Sequence, residues 1–197
     1  MGCESLHSAR LIMKPQHKPP IYELKITLED VRPLVWRRFL ADPLCTLPLL
    51  HLILQAVMGW KNRHLHCFES RGDQYATLSP DLPGGCKDER RYRLGSLVKT
   101  AGESFSYLYD FGDGWRHTVT LERNHQRSRS LVHPKCVAGE NACPPEDTGG
   151  SPGYRRLQLI LSNPSLKEHG RIRDWVGKTF DPHKFKLAHQ NLPMWKP

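Results

Sequence analysis

The sequence predicts an α+β fold, a single domain with a mainly antiparallel sheet covered by an N-terminal leucine-rich helix and C-terminal helices. Three observations carry this. Residues 21–40, 64–78 and 105–122 each hold two stretches of alternating apolar and polar residues joined by a short turn-forming segment, which favours antiparallel neighbours. The remaining helical periodicity is gathered after residue 150 and does not alternate with strands, as a parallel α/β fold would require. With 197 residues and 38% apolar content, the chain can bury one core without a disulfide or metal to staple it.

Residues 1–20 hold three prolines and no sustained periodicity, so a disordered leader is expected. In IYELKITLE, Tyr22, Leu24, Ile26 and Leu28 share one face, while Glu23, Lys25, Thr27 and Glu29 share the other. A turn at 30–33 leads into a second strand over 34–40, where arginines flank Trp36. Thr46 is an N-cap candidate, Pro48 suits a first helical turn, and apolar residues then recur at helical spacing up to Gly59. Leu50, Leu54, Val57 and Met58 should face the core, with His51 beside them as a hydrogen-bonded structural histidine. HLHCFES puts His64, His66 and Phe68 on one side of a strand, and Arg71-Gly72-Asp73 turns it into a partner over 74–78. Prolines and glycines make 79–91 a long loop, and a helical turn over 94–99 precedes the central hairpin.

Most of the special residue types fall between Phe105 and Tyr154. Phe105, Tyr107, Tyr109 and Phe111 alternate with Ser106, Leu108 and Asp110. Beyond Gly112-Asp113-Gly114, Trp115, His117, Val119 and Leu121 alternate with polar residues. A three-residue loop would align Phe111 with Trp115, Tyr109 with His117 and Tyr107 with Val119, leaving Asp110 facing Arg116 on the other side. After a polar connection at 124–130, His133, Cys136 and Cys143 offer three soft zinc ligands, against a plain reading of the two cysteines as small buried residues. In Pro144-Pro145-Glu146-Asp147-Thr148-Gly149-Gly150 the prolines fix the backbone and the glycines allow positive φ or close approach. Glu146 and Asp147 could join Asp110 or Asp113 around a divalent cation, or cap the helix that starts near Gly153 and buries Tyr154, Leu157, Ile160 and Leu161. His64 and His66 could share one metal or phosphate. Two further helices are expected, one from Pro164 with Ile172, Trp175 and Val176 inward, and one from Asp181 with Phe185, Ala188 or His189, and Leu192 inward.

No stretch approaches the roughly 18 apolar residues of a membrane span, and the N-terminus lacks a signal-like apolar run, so a cytoplasmic protein without a membrane partner is expected. Six irregularly spaced cysteines do not form a secreted disulfide framework. The excess of 29 basic over 20 acidic residues favours polyanions, or else simply a solvated basic surface.

Taken together, YELKITL, PLVWRR, the helix ending in MGW, HLHCF, FSYLYDFGDGWRH, Cys136 to Gly139, ACPPEDTGG with Gly153-Tyr154, and FDPHKF resemble the plasmid pRiA4b ORF-3-like family. This is a group of plasmid and transposon passenger proteins that includes a TnpR-like protein of an insertion element. The resemblance covers 21–192, leaving the leader and a tail at 193–197 outside. It implies an α+β fold and brings no established reaction. Its motifs fall on Tyr109, Asp110, Phe111, Gly112, Asp113, Trp115 and His117, then on Cys143, Pro144, Pro145, Glu146, Asp147, Gly149, Gly150 and Tyr154. Lys186 departs from the family pattern, which often carries an acid there. Resolvase activity is not expected, because no nucleophilic serine among arginines and no helix-turn-helix is visible.

The resemblance and the basic charge together suggest a mobile-element accessory module that binds nucleic acid or an element-encoded protein. Tyr107, Tyr109, Trp115 and Arg116 would then form a stacking face near Gly149, Gly150 and Tyr154. The alternative is a metal-assisted hydrolase using Asp110, Asp113, His117, Glu146 and Asp147, with a divalent metal as cofactor and His64 and His66 as outer candidates.

Overall fold

Ile21–Leu28 (β1) lies inside the sheet with its alternation complete. Tyr22, Leu24, Ile26 and Leu28 are buried on the inner face, and Glu23, Lys25 and Thr27 stay half-exposed on the outer one. Trp36–Ala41 (β2) pairs with it antiparallel, setting Arg37 opposite Ile26 and Phe39 opposite Leu24, so the inward positions are Arg37, Phe39 and Ala41. Leu47–Met58 (α1) buries Leu47, Leu50, Ile53, Leu54, Val57 and Met58 and leaves Leu52 exposed. Thr46 precedes α1 in an extended conformation without a side-chain cap, and Gly59 closes it at φ 97.

The chain continues through His66–Ser70 (β3), Asp73–Ala76 (β4), Lys87–Asp88 (β5), Leu94–Leu97 (α2), Ser104–Tyr109 (β6), Trp115–His125 (β7), Lys135–Glu140 (β8), Gly150–Ser162 (α3) and His169–Val176 (α4). One eight-stranded sheet runs in the order β5-β4-β3-β6-β7-β1-β2-β8, antiparallel except for the β4–β5 pair. This is a single α+β domain. The computed structural model describes residues 19–78, 85–128 and 134–187, so residues 1–18 of the leader, the tail, His133 and the C-terminal positions 188–192 lie outside the described residues.

The hairpin register differs from the expected one by two residues. Tyr109 pairs with Trp115, Tyr107 with His117 and Phe105 with Val119, and 110–114 form the connection. A two-residue shift keeps every side chain on its face, so the apolar pattern cannot detect it. Local turn chemistry decides instead. Asp110 adopts φ 57 and its Oδ1 accepts hydrogen bonds from the Gly112 and Asp113 N–H groups. Phe111 is therefore an exposed loop residue, and Arg116 faces Leu108. His64 precedes β3 and is not part of it. The long loop after β4 yields β5, and the stretch around Cys136 forms β8 on the sheet edge.

The C-terminal helices are shorter than the periodicity suggests. Asn163 precedes a proline, which disfavours helical dihedrals, and 163–169 form successive turns before α4 begins. Only Ile172 and Val176 of α4 pack on the core, and Trp175 is left 47% exposed. Asp181 makes a turn to His183 and Lys184 in place of a helix start, and the following Phe185 lies on the Arg37 guanidinium with its ring centroid 4.3 Å away.

Candidate functional site

Three chain segments meet at one end of the sheet. The first is the turn after α1. The Trp60 indole is buried and donates to the Pro144 carbonyl at 3.0 Å, and its ring centroid is 4.9 Å from that of Tyr109. Asn62, at φ 54, donates its N–H to Gln55 Oε1 and accepts at Oδ1 from His51 Nε2. The Arg63 N–H donates to the Tyr109 hydroxyl at 3.0 Å, and the Leu65 carbonyl accepts the Asp110 N–H at 2.9 Å. These bonds hold His64 over the hairpin corner.

The hairpin corner is the second segment. Asp110 Oδ1 is used by the turn, which leaves Oδ2 3.6 Å from His64 Nε2. Asp113 does not fix its own turn. Its Oδ2 accepts the Gly149 N–H at 3.0 Å and ties the corner to the third segment, the loop before α3. The two motif blocks touch there so closely that a Cβ on Gly150 would come within 2.5 Å of the Asp113 carbonyl oxygen.

In that loop Glu146 accepts from the Lys61 N–H at 2.7 Å and from the Tyr109 hydroxyl, and its Oε2 lies 3.4 Å from His64 Nε2. Asp147 Oδ1 lies 3.1 Å from the same nitrogen. Neither acid caps α3, whose N-cap Gly149 has no side-chain cap. Burial, and secondarily the Glu146 carboxylate, push the Tyr109 phenol up to about 12, so it remains a hydrogen donor to Glu146 at neutral pH.

The resulting geometry has one unusual property. His64 Nε2 is shielded from solvent and makes no hydrogen bond of proper geometry, although carboxylate oxygens of Asp110, Glu146 and Asp147 surround it at 3.1–3.6 Å. Among the described residues no lysine or arginine forms an ion pair with any of the three acids. The ligand atoms of His64, Asp110 and Asp147 lie within 4.8 Å of one another. Nitrogen and oxygen ligands held roughly 2.0–2.3 Å from a shared cation stand about 3–3.5 Å apart from each other. The His64-to-carboxylate separations of 3.1 and 3.6 Å lie at or near that spacing, so His64, Asp110 and Asp147 could hold a divalent ion, and Asp147, with 61% of its side chain exposed, leaves one side open.

The other expected site residues lie elsewhere. Tyr107, Trp115 and His117 belong to the core at no more than 1% exposure, so with Tyr109 they form an inner packing face and no open stacking surface. His117 Nδ1 faces the Tyr107 carbonyl, on the opposite side of the strand pair from Arg116. The His64/His66 pair is split, because the His66 ring stacks on His51 at 3.6 Å and its Nε2 meets the buried Glu89 at 2.9 Å. Cys136 and Cys143 pack near Arg37 with their thiols pushed upward by burial, and the described metal-ligand group includes neither. Tyr154 is buried on the inward face of α3, its hydroxyl donating to the Ala142 carbonyl.

Two contributors escape motif reading. Lys61 acts through its backbone N–H, which leaves no residue-type signal. Arg37 is a cation with 1% exposure that donates to the carbonyls of Trp36, Val57, Glu140 and Asn141. Its signal was its phase, since it alternates with Val35, Phe39 and Ala41 on the inward side.

A family model described as Plasmid pRiA4b ORF-3-like protein matches residues 20–189. An uncharacterized protein of Sinorhizobium fredii, y4hQ, is 38% identical over 160 residues, covering 81% of this chain and 82% of the relative. The crystal structure of a protein of unknown function from Methanosarcina mazei Go1 superposes with a TM-score of 0.77 at 32% identity, covering 86% of this chain and 97% of the other.

Proposed function

The chain belongs to the plasmid pRiA4b ORF-3-like family, and from that premise we propose that its function is metal-assisted hydrolysis at a divalent-cation centre formed by His64, Asp110 and Asp147, with Glu146 as the adjoining base. The observation that carries this reading is the shielded His64 Nε2, aimed at three carboxylates without hydrogen-bond geometry, with no lysine or arginine among the described residues paired to those acids. Like charges this close repel unless a cation offsets them. One imidazole among carboxylates favours Mn²⁺, Zn²⁺ or Fe²⁺ over Ca²⁺ or Mg²⁺.

Each residue then has a part. Asp110 is oriented by its own turn, which uses one carboxylate oxygen and presents the other. Glu146, held by the Lys61 N–H and the Tyr109 O–H, accepts the proton of a water molecule at Oε2. Asp147, on the open side, admits water and substrate. A bound divalent cation would supply a more acidic water and polarise the scissile group.

The competing reading, a nucleic-acid accessory module, keeps the basic charge as support but loses the aromatic face, which is interior. Calorimetric titration of the metal-stripped protein with Mn²⁺ and Zn²⁺ tests the proposal. One equivalent should bind in the wild type, and affinity should fall at least ~100-fold in His64→Ala/Asp147→Ala, two partly exposed positions whose loss leaves the core intact. No saturable uptake by the folded wild type would refute it.

A further inference from the structure

A cleft of about 590 Å³ opens beside this centre and shares Glu146 and Asp147 with it as part of its wall. We infer that this cleft takes a phosphate monoester carrying a planar ring, the chemistry of a nucleoside monophosphate, as substrate or product of the centre; the inference rests on the metal reading above. The volume is that of a site for a small organic ligand.

The charge argument begins with Arg37. Its guanidinium, which lines the cleft, is surrounded by carbonyl oxygens and has no carboxylate at ion-pair distance among the described residues. A buried unit charge without a local counter-ion projects its field into the adjoining concavity, where the low-dielectric wall concentrates it. Lys61, Arg63 and Lys186 line the same cleft, and none has an ion-pair partner among the described residues. Lys184 is engaged with Asp181 at 3.1 Å. With a cation on His64, Asp110 and Asp147, the acidic part of the wall is offset, and the remaining groups favour a dianion. Phosphate fits arginine and lysine donors better than a single carboxylate does, because it offers three acceptor oxygens and the larger charge.

The aromatic residues argue for the ring. Trp175 is 47% exposed and lines the cleft with Phe180 and Phe185. α4 could have turned this indole inward alongside Ile172 and Val176, yet it stands in the mouth of a cationic cleft. An indole so placed offers a stacking face for a flat base while the phosphate reaches Lys61 and Arg63.

Tryptophan fluorescence and calorimetry of the full chain, loaded with Mn²⁺, test this with AMP, ribose 5-phosphate and adenosine as probes. AMP should bind and quench the emission. Ribose 5-phosphate and adenosine should each bind at least ~10-fold more weakly, since each lacks one of the two interactions. Lys61→Met/Arg63→Met changes two exposed side chains, so the fold should survive. It should weaken AMP by at least ~30-fold while still taking up Mn²⁺, and Trp175→Ala should erase the advantage of AMP over ribose 5-phosphate. Mn²⁺ uptake without AMP binding at millimolar concentration overturns this inference and leaves the metal centre standing. Equal AMP affinity in wild type and Lys61→Met/Arg63→Met also overturns it. AMP binding in a chain that takes up no Mn²⁺ supports the anion cleft and removes the metal reading instead.

Discussion

Arg37 shows how much one side chain can carry in this protein. Its donors reach the carbonyls of Val57 at the end of α1, Trp36 within β2, and Glu140 and Asn141 where β8 ends, so one guanidinium joins a helix, an inner strand and an edge strand. The C-terminal end of a helix is a favourable place for a cation, and the Phe185 ring covers the group from the other side. Gly139 is needed beneath it, because a Cβ there would come within 2.8 Å of both the Arg37 side chain and the Phe185 ring. Arg37→Met keeps the stem but removes one donor from each of four carbonyls. It is expected to cost about 3 kcal/mol or more in urea unfolding, and a loss under ~1 kcal/mol would contradict this account. Arg37→Lys should recover little, since an ammonium cannot span the same fork of acceptors. At this scale the sequence was legible in part. Arg37 shares the strand phase of Val35, Phe39 and Ala41, a signal its charge obscured, and nothing in residue type marked His64 as the partner of Asp110, Glu146 and Asp147, because their separation in the chain is closed only by packing.

Among the elements, the contact between the hairpin corner and the start of α3 depends on two adjacent glycines that do different things. Gly149, at φ 87, has room for a methyl group, which would meet only the Gly153 Cα at an ordinary 3.8 Å, whereas Gly150, at φ 66, lies against the Asp113 carbonyl. Gly149→Ala is therefore expected to cost only backbone strain, on the order of 1 kcal/mol. Gly150→Ala adds a clash with the main chain, which must push the two motif blocks apart. Denaturation curves should show Gly150→Ala as clearly the more damaging, and Mn²⁺ titration should show weakened uptake there alone, because Asp147 moves with its loop. Equal effects from the two variants would refute this division. The pairs β1–β2, β3–β4 and β6–β7, with α1 and the inward face of α3, were readable from periodicity. β5 and β8 were not. A two-residue strand carries no period, and the edge stretch KCVAGE mixes small and polar residues whose pairing is supplied by β2.

For the whole molecule, the buried histidines set how stability depends on pH. Burial, and then the stacked His66, lower the pKa of His51 to about 4, and burial lowers that of His117 to about 4. An unfolded histidine titrates near 6.5. Between those values the unfolded chain binds more protons than the folded one, so stability is complete above about pH 6.5 and is lost as pH falls towards 4. Each residue contributes on the order of a few kcal/mol over that window. Glu89 is opposed by its own burial but held lower by the hydrogen bonds from His66 and Thr77; its contribution is present above its unfolded value and lost further down the acid range. The melting temperature should fall steadily from pH 7 to pH 4.5, and His51→Gln should flatten part of that slope. A melting temperature constant over this range would count against the assignment of both imidazoles as neutral in the fold. By itself, the sequence determined the fold class and the faces of most strands, of α1 and of α3, because periodicity and turn chemistry are local properties of the chain. The hairpin register, the parting of His64 from His66, and the meeting of one imidazole with three carboxylates beside a basic cleft were decided only in the tertiary structure. A two-residue slip leaves every face unchanged, and which distant side chains converge depends on how the corner, the loop and the helix end close on one another.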